Sequence, residues 1–259
     1  MKPIFSMAVL TALLGWTADP VSAAPHDRST LADAIDVLDD LAKLPEKCVP
    51  PALMRDAEAV IIAPNVVKGG FVIAGRRGHG VLVIKDKDGN WGNPVFVTLT
   101  GGSVGLQVGV QATDMFLVIK NRRSLDRIMR GNGKLTLGAD ASVAAGPLGR
   151  QASADTDAQL RAEILSYSRN RGAFVGVAVE GDTLRIDWEA NERCYGKGNI
   201  TVADIVGGKV AAPESVATLR AALAKWPDRM ETKRPAYLEL PPLEPKRPAQ
   251  LELPPPPPQ

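Results

Sequence analysis

The chain has 259 residues, 45% of them hydrophobic, and its 31 Lys and Arg residues nearly balance 29 Asp and Glu residues to leave a formal net charge of +2. This apolar content is sufficient for a folded core, and the near-neutral charge excludes the strongly basic character typical of general nucleic-acid binders. The two histidines and two cysteines lack the close spacing of metal ligands, so we expect no metal ion and no other cofactor.

Residues 1–23 have the order of a secretory signal peptide. Lys2 precedes an apolar run over residues 4–16, and small residues at positions 21–23 provide a cleavage site. The apolar run is too short for a permanent membrane span. The sequence therefore predicts an exported protein, periplasmic or secreted and peripheral to a membrane.

Cys48 and Cys194 are the two cysteines of the chain. In an oxidising compartment an even pair that lies far apart in sequence is more often bridged than free. Export therefore predicts a Cys48–Cys194 disulfide, with two separate buried thiols as the alternative.

An amphipathic helix is predicted over residues 27–44, because Leu31, Ile35, Leu38 and Leu41 recur at helical spacing. Its polar face is acidic and should be repelled by an anionic membrane, so packing on the domain is the better interpretation. A second short helix is expected at residues 51–58, where Pro51 suits a first helical turn.

Between residues 60 and 120, short apolar runs separated by glycine predict a meander of strands. The expected strands are residues 60–63, 71–76, 81–85, 94–100, 103–111 and 114–120, with turns at 77–80 and 86–90. Strict alternation of valine or leucine with glycine and polar residues is clearest at 103–111. The Asp-Gly core at 88–89 resembles part of a calcium loop, but the further acidic ligands are missing, which favours a plain hairpin turn.

The densest basic cluster surrounds a short helix predicted from Ser124, as its cap, to about Arg130. Arg123, Arg127 and Arg130 fall at positions i, i+4 and i+7 and hence on one helical stripe. This stripe is a candidate anion-binding surface, and a solvated helix face is the alternative.

The remaining elements complete one α+β domain. A hairpin is expected over residues 163–180 about a turn at 170–172, followed by a strand at 183–187, a short helix at 188–195 and an amphipathic helix at 213–226. The sequence thus predicts a single domain over residues 29–226, built on a largely antiparallel twisted sheet with short flanking helices.

Residues 227–259 are rich in proline and contain two 13-residue repeats that start at Lys233 and Lys246. Such a composition predicts a disordered, extended tail that is dispensable for folding. The tail is expected to act as a linker or as a docking peptide.

No catalytic motif appears, so an enzyme is not expected. His79 lies in a glycine-rich segment beside Arg76 and Arg77 and is a candidate general base, but a lone exposed histidine is more often without such a role.

Several blocks of the chain resemble the SYLF domain family in the family's order. In the first half these blocks are residues 68–71, Arg76, Gly78, Gly80, residues 88–91, Pro94, residues 102–109 and Asp114. In the second half they are residues 137–150, 166–169, Gly172, Phe174, Gly176 and residues 179–181. The resemblance spans roughly residues 29–206.

The resemblance implies a non-enzymatic lipid-binding domain. Eukaryotic members bind phosphoinositides and some bind actin, often beside SH3 or FYVE modules, whereas this chain has an export signal, a proline-rich tail and an acidic first helix. Lys68 and Arg76 match the family's basic positions, and spacing adds Arg123, Arg127 and Arg130 to the candidate site. We therefore expect binding of an anionic phospholipid membrane surface at the cell envelope, with actin an unlikely partner there. The alternative is a structural protein whose tail docks a protein or wall partner.

Overall fold

The computed structural model describes residues 26–43, 49–70, 73–104, 109–130, 133–148, 157–170, 173–177 and 179–231. The predicted signal peptide, the proline-rich repeats and Cys48 lie outside these residues. The elements in chain order are α1 (His26–Lys43), α2 (Pro51–Asp56), β1 (Ala59–Gly70), β2 (Ile73–Ile84), β3 (Val95–Val104), β4 (Gly109–Ile119), α3 (Arg122–Arg130), β5 (Lys134–Thr136), β6 (Val143–Ala145), α4 (Asp157–Arg161), β7 (Ile164–Asn170), β8 (Ala173–Gly176), β9 (Thr183–Ile186), α5 (Trp188–Tyr195), α6 (Val202–Val206), α7 (Glu214–Ala224) and α8 (Trp226–Glu231).

All the described strands belong to one sheet. Its order is β5-β9-β3-β2-β1-β4-β7-β6, and β8 pairs with the end of β7 beyond β6. Every pair is antiparallel except β6 with β7, and strands β1 to β4 have Greek-key order. The prediction of an α+β fold on a largely antiparallel sheet is confirmed.

The sheet curls until its two ends approach each other. Strands β5 and β6 lie at opposite ends of the order, yet only residues 137–142 connect them. Eight strands in a flat sheet would separate these ends by roughly 34 Å, whereas the connection reaches at most about 24 Å. The inner side is therefore closed around apolar residues such as Leu99, Leu135 and Leu184, which are fully buried.

Helix α1 packs on β1 and β2 and against α7. Leu31, Leu38 and Leu41 on its apolar stripe are buried, which confirms that this helix packs on the domain. Part of its acidic face is neutralised within the fold, because Asp40 contacts Arg169 and Asp39 accepts a hydrogen bond of 2.7 Å from Arg229.

The turn predicted at residues 77–80 is wrong, since β2 runs through this segment without interruption. Gly78 and Gly80 instead allow a close approach of β1: a Cβ atom at Gly78 would lie 2.6 Å from Val66 Cγ2, and one at Gly80 would lie 2.4 Å from the carbonyl oxygen of Ile62. The approach accompanies a bulge in β1 at Asn65, whose φ is 50° and whose N–H donates to Asp114 at 3.0 Å. Glycine here serves strand packing, not a turn.

The single strand predicted at residues 103–111 is also wrong. Val104 ends β3 and Gly109 begins β4, and these strands pair with β2 and β1 respectively, while residues 105–108 lie outside the described part. Alternation indicates extended backbone but not whether the chain changes its partner strand.

Two predicted turns are confirmed as connections. At residues 86–90, Asp86 accepts hydrogen bonds from the N–H groups of Asp88 and Asn90, and Gly89 has a φ of +83°. Strands β7 and β8 form the predicted hairpin, with Asn170 paired to Ala173.

Candidate basic site

Helix α3 begins earlier than the sequence predicts. Its first residue is Arg122, and Asn121 Oδ1 accepts a hydrogen bond of 3.1 Å from the N–H of Ser124, so Asn121 acts as the cap and the assignment of Ser124 as the cap is wrong. Leu125 and Ile128 are fully buried beneath the helix. This anchoring holds the exposed Arg123 and Arg127 on a rigid element.

Arg127 is held by groups of the domain itself. Its guanidinium lies 3.2 Å from the carboxylate of Glu163 and donates a hydrogen bond to the backbone oxygen of Asp140. Ser124 Oγ donates to the same Glu163 carboxylate at 2.6 Å. Burial by itself would raise the pKa of Glu163, but the hydrogen bonds from Ser124 and Arg127 outweigh it, so the pKa lies below its usual value.

The other cations around α3 differ in their contacts. Arg122 lies 3.6 Å from Glu58, and Lys120 Nζ donates to the backbone oxygen of Gln159 at 3.0 Å. Arg123 is exposed, and its positive charge helps to lower the pKa of Glu163. Arg130 is the last residue of the helix, and its side chain lies outside what the structure describes.

Lys68 and Arg76 lie directly opposite each other on β1 and β2. Arg76 in turn pairs with Gly101 of β3, and Arg76 Nη1 donates a hydrogen bond of 2.7 Å to Asp182. Directly paired residues of antiparallel strands share a face. The structure therefore brings the two predicted basic residues together, but it commits Arg76 to an internal ion pair.

Asp182 reaches Arg76 across a position without a side chain. A Cβ atom at Gly101 would lie 1.7 Å from Asp182 Oδ1, so only glycine leaves room for the carboxylate. Asp182 is 2% exposed. Burial raises the pKa of this carboxyl group, and the nearby charges of Arg76 and Lys68 only partly oppose that effect.

His79 lies 3.6 Å from Asp187, whose other oxygen accepts a hydrogen bond from the N–H of Ala190 and thereby caps α5. The carboxylate beside His79 is thus accounted for by helix capping, and the geometry adds nothing to the general-base hypothesis.

A groove of about 620 Å³ lies between the segment around Trp91 and helices α2 and α7. Lys85 lies 4.7 Å from the centre of the Trp91 ring and donates hydrogen bonds to the backbone oxygens of Met54 and Arg55. Burial lowers the pKa of Lys85. The lysine therefore ties α2 to the sheet.

Within the described residues, no group of three or more His, Cys, Asp and Glu residues is arranged to hold a metal ion. None of the helices described is both long enough and apolar enough to cross a bilayer. The half-buried Cys194 lies in the last turn of α5, but its predicted partner Cys48 lies outside the described part, so the disulfide stays a prediction.

The sequence interpretation missed a second basic surface on the sheet, which we call the outer sheet face. Its members form two rows across β5, β9, β3 and β2: Lys134, Arg185, Thr98 and His79 in one row, and Thr136, Thr183, Thr100 and Arg77 in the next. Period-2 alternation of Lys134 and Thr136 about Leu135, and of Thr183 and Arg185 about Leu184, was the available signal. Arg77 was not recognised as part of this face because the sequence predicts a turn at residues 77–80.

Comparison with known proteins assigns the chain to a family. Residues 100–226 match the Ysc84 family, which is described as Las17-binding protein actin regulator. The Ysc84 domain is the SYLF domain. The chain therefore belongs to the SYLF family. The SYLF block at residues 68–71 begins in β1. The block at residues 166–169 lies in β7. The block at 137–150 contains the connection between the two ends of the curled sheet.

Named relatives of this SYLF chain include fungal and vertebrate proteins. "Protein YSC84" of Saccharomyces cerevisiae is 38% identical over 170 residues, which cover 65% of this chain and 36% of the relative. "LAS seventeen-binding protein 3" of the same species is 36% identical over 173 residues, or 66% of this chain and 37% of the relative. "SH3 domain-containing YSC84-like protein 1" of Xenopus laevis is 29% identical over 187 residues, or 72% of this chain and 55% of the relative.

The chain thus spans between about a third and somewhat more than half of these relatives. No solved structure matches it. The description of the family and the name of LAS seventeen-binding protein 3 refer to binding and regulation, not to an enzymatic activity.

Proposed function

We propose that this protein is an exported, non-enzymatic SYLF protein that binds the anionic lipid surface of a membrane at the cell envelope. The observation that carries the proposal is the rigid presentation of arginines on α3: Leu125 and Ile128 anchor the helix in the core while Arg123 and Arg127 remain exposed. Each basic residue near a negatively charged bilayer contributes on the order of 1 kcal/mol. Several cations on one surface are therefore needed for stable binding.

The five basic residues of the proposed site do not contribute equally. Arg76 is paired with the buried Asp182, and Arg127 shares its charge with Glu163, so both retain less attraction for an external anion. Arg123, which has no ion-pair partner among the described residues, is the stronger candidate on α3, and Arg130 belongs to the proposed site by its helical spacing alone. Lys68 lies beside Arg76 and opposite Gln111, at the end of β1 far from Ile119 and α3, so these two residues form a separate basic position from the α3 arginines.

Vesicle flotation tests the proposal. The native protein is expected to float with phosphatidylglycerol vesicles at low salt and much less at high salt, because charge attraction is screened within about 10 Å at 0.1 M salt. It should not bind phosphatidylcholine vesicles, which carry no net charge. The variant Arg123→Glu/Arg127→Glu/Arg130→Glu should bind less. Arg123→Glu/Arg130→Glu is the matched variant that leaves the Arg127–Glu163 contact intact. Absence of native binding to anionic vesicles would refute the proposal.

A protein-binding role is the second candidate, and the names of the relatives support it, since the family is described as Las17-binding and actin-regulating. Cosedimentation with actin filaments tests this role directly. Salt-resistant cosedimentation of the native protein, without any vesicle binding, would favour it over the lipid proposal.

A further inference from the structure

The outer sheet face carries Arg77, Lys134 and Arg185, for which the described residues provide no acidic partner. Lys134 on β5 lies directly opposite Arg185 on β9, and both side chains are exposed. Like charges directly opposite each other destabilise a sheet. Within the part of the chain that the structure describes, Lys134, Arg185 and Arg77 make no ion pair. The fold therefore tolerates an unfavourable arrangement of charge on this surface.

The acids near this face are already engaged. Asp187 contacts His79 and caps α5 through the N–H of Ala190. Asp140 accepts a hydrogen bond of 2.6 Å from the N–H of Thr136 at the edge strand. Neither carboxylate pairs with Lys134, Arg185 or Arg77, so the positive charge of the face remains directed to solvent.

Exposed apolar side chains flank the same surface. Val67 of β1 pairs with Arg77 and is 47% exposed, and Trp188, which directly follows Asp187, is 42% exposed. Among the residues described, the only other large hydrophobic side chain this exposed is Val175 on β8. Tryptophan beside basic residues suits the boundary between lipid headgroups and acyl chains, because its ring is apolar and its N–H is polar.

The outer sheet face also adjoins the arginines of α3. Arg127 donates a hydrogen bond to the backbone oxygen of Asp140, and the carboxylate of Asp140 accepts from Thr136 of β5. The chain also leads from the end of α3 at Arg130 to Lys134 within a few residues. The edge strand β5 thus lies between the two basic surfaces.

We propose that the outer sheet face, with Arg77, Lys134 and Arg185 as its cations and Trp188 at its margin, is the surface that contacts an anionic bilayer. This inference rests on the proposed function and assigns its main contact to the sheet. Charge complementarity favours an anionic surface. The hydroxyl groups of Thr136 and Thr183 lie on the same face, whereas those of Thr98 and Thr100 already donate to Asp187 and to the backbone oxygen of Thr183. The groove beside Trp91 and the pocket lined by Asp36, Asp39 and Asp40 lie on other residues than this face.

The test compares two variants of the full chain with the same change in net charge. Arg77→Glu/Lys134→Glu/Arg185→Glu reverses the face, and Lys87→Glu/Lys209→Glu/Lys225→Glu reverses exposed lysines elsewhere. We expect partitioning onto phosphatidylglycerol vesicles to fall at least tenfold for the face variant and to change less than threefold for the control. The milder Arg77→Gln/Lys134→Gln/Arg185→Gln variant, with an unchanged thermal melt, keeps the test valid if charge reversal disturbs folding.

A second readout locates the contact. The chain has four tryptophans, of which Trp16 lies in the predicted signal peptide and Trp91 and Trp226 are buried. In protein that lacks residues 1–23, quenching of tryptophan fluorescence by brominated phosphatidylglycerol should therefore report mainly on Trp188 and should decrease in Trp188→Phe. Normal binding by the face variant, or equal losses in the face variant and the control, would overturn the inference while leaving the proposed function intact. Absence of native vesicle binding would refute both. Loss of actin cosedimentation in the face variant, without any vesicle binding, would assign the face to an acidic protein instead.

Discussion

Gly101 lies directly beneath the carboxylate of Asp182, which spans this bare position to contact Arg76 at 2.7 Å. The contact joins β2 to the segment that leads into β9, so one missing side chain permits an ion pair between distant parts of the chain. Arg76 belongs to the SYLF resemblance, and this pairing gives it a structural role apart from any role in lipid binding.

Gly101→Ala should therefore destabilise the protein by about 1 to 3 kcal/mol, because the added methyl group displaces a buried carboxylate from its partner. Gly75→Ala is the matched control, since a Cβ atom at this neighbouring strand position meets nothing within 4 Å. Urea unfolding measures both variants. Equal stability of the two would contradict the close approach of Asp182 to Gly101.

The ionisation of Glu163 should make the stability of the protein depend on pH. Its pKa is lowered in the folded protein, since hydrogen bonds from Ser124 and Arg127 outweigh the effect of burial, so the folded state favours the ionised carboxylate. The resulting stabilisation is present above the ordinary value of 4.5 and is lost as the pH falls through the lower folded pKa. Glu163→Gln should cost roughly 1 to 2 kcal/mol at pH 7.

Thermal melts of the native protein and Glu163→Gln should therefore converge as the pH is lowered below 4.5. Glu180→Gln, at an exposed position, controls for the loss of one carboxylate. A difference between native protein and Glu163→Gln that stays constant down to pH 3 would show that the carboxylate charge is not responsible.

Lys134→Glu should have opposite effects on stability and binding. It converts the like-charge pair with Arg185 into an ion pair across β5 and β9, which should stabilise the protein by about 0.2 to 1 kcal/mol. It should also weaken flotation with anionic vesicles. Lys209→Glu, at an exposed position that follows α6, controls for the change in net charge. A loss of stability in Lys134→Glu would contradict the register of this strand pair.

The Cys48–Cys194 disulfide remains a prediction from export and from the even number of cysteines. On the entropic model, a closed loop of this length stabilises the folded protein by about 5 kcal/mol, so reduction should lower the melting temperature. Thiol labelling under denaturing, non-reducing conditions should find no free thiol in protein isolated from its native compartment. Two labelled cysteines per chain would refute the bridge.

Part of the fold was predictable because it depends on local periodicity. The apolar stripe of α1, the Asp86 turn and the hairpin between β7 and β8 were all predicted from residues within one element or turn. Glycine was misleading in β2, because a glycine that permits close packing against Val66 is indistinguishable in sequence from one that permits a turn. The predicted arginine stripe was correctly placed on α3, but its partner Glu163 was not foreseeable from spacing.

The sequence by itself determined many of the helical and extended segments, which face of α1 is apolar, and to which family the chain belongs, because these properties follow from short-range patterns and from matched blocks. Only the tertiary structure decided which cations are neutralised. Arg76 meets Asp182 across 106 residues, whereas Lys134 meets Arg185 and neither finds a described acid. The physical reason is that electrostatic interaction depends on distance in space, and strand pairing brings together charges that lie far apart along the chain.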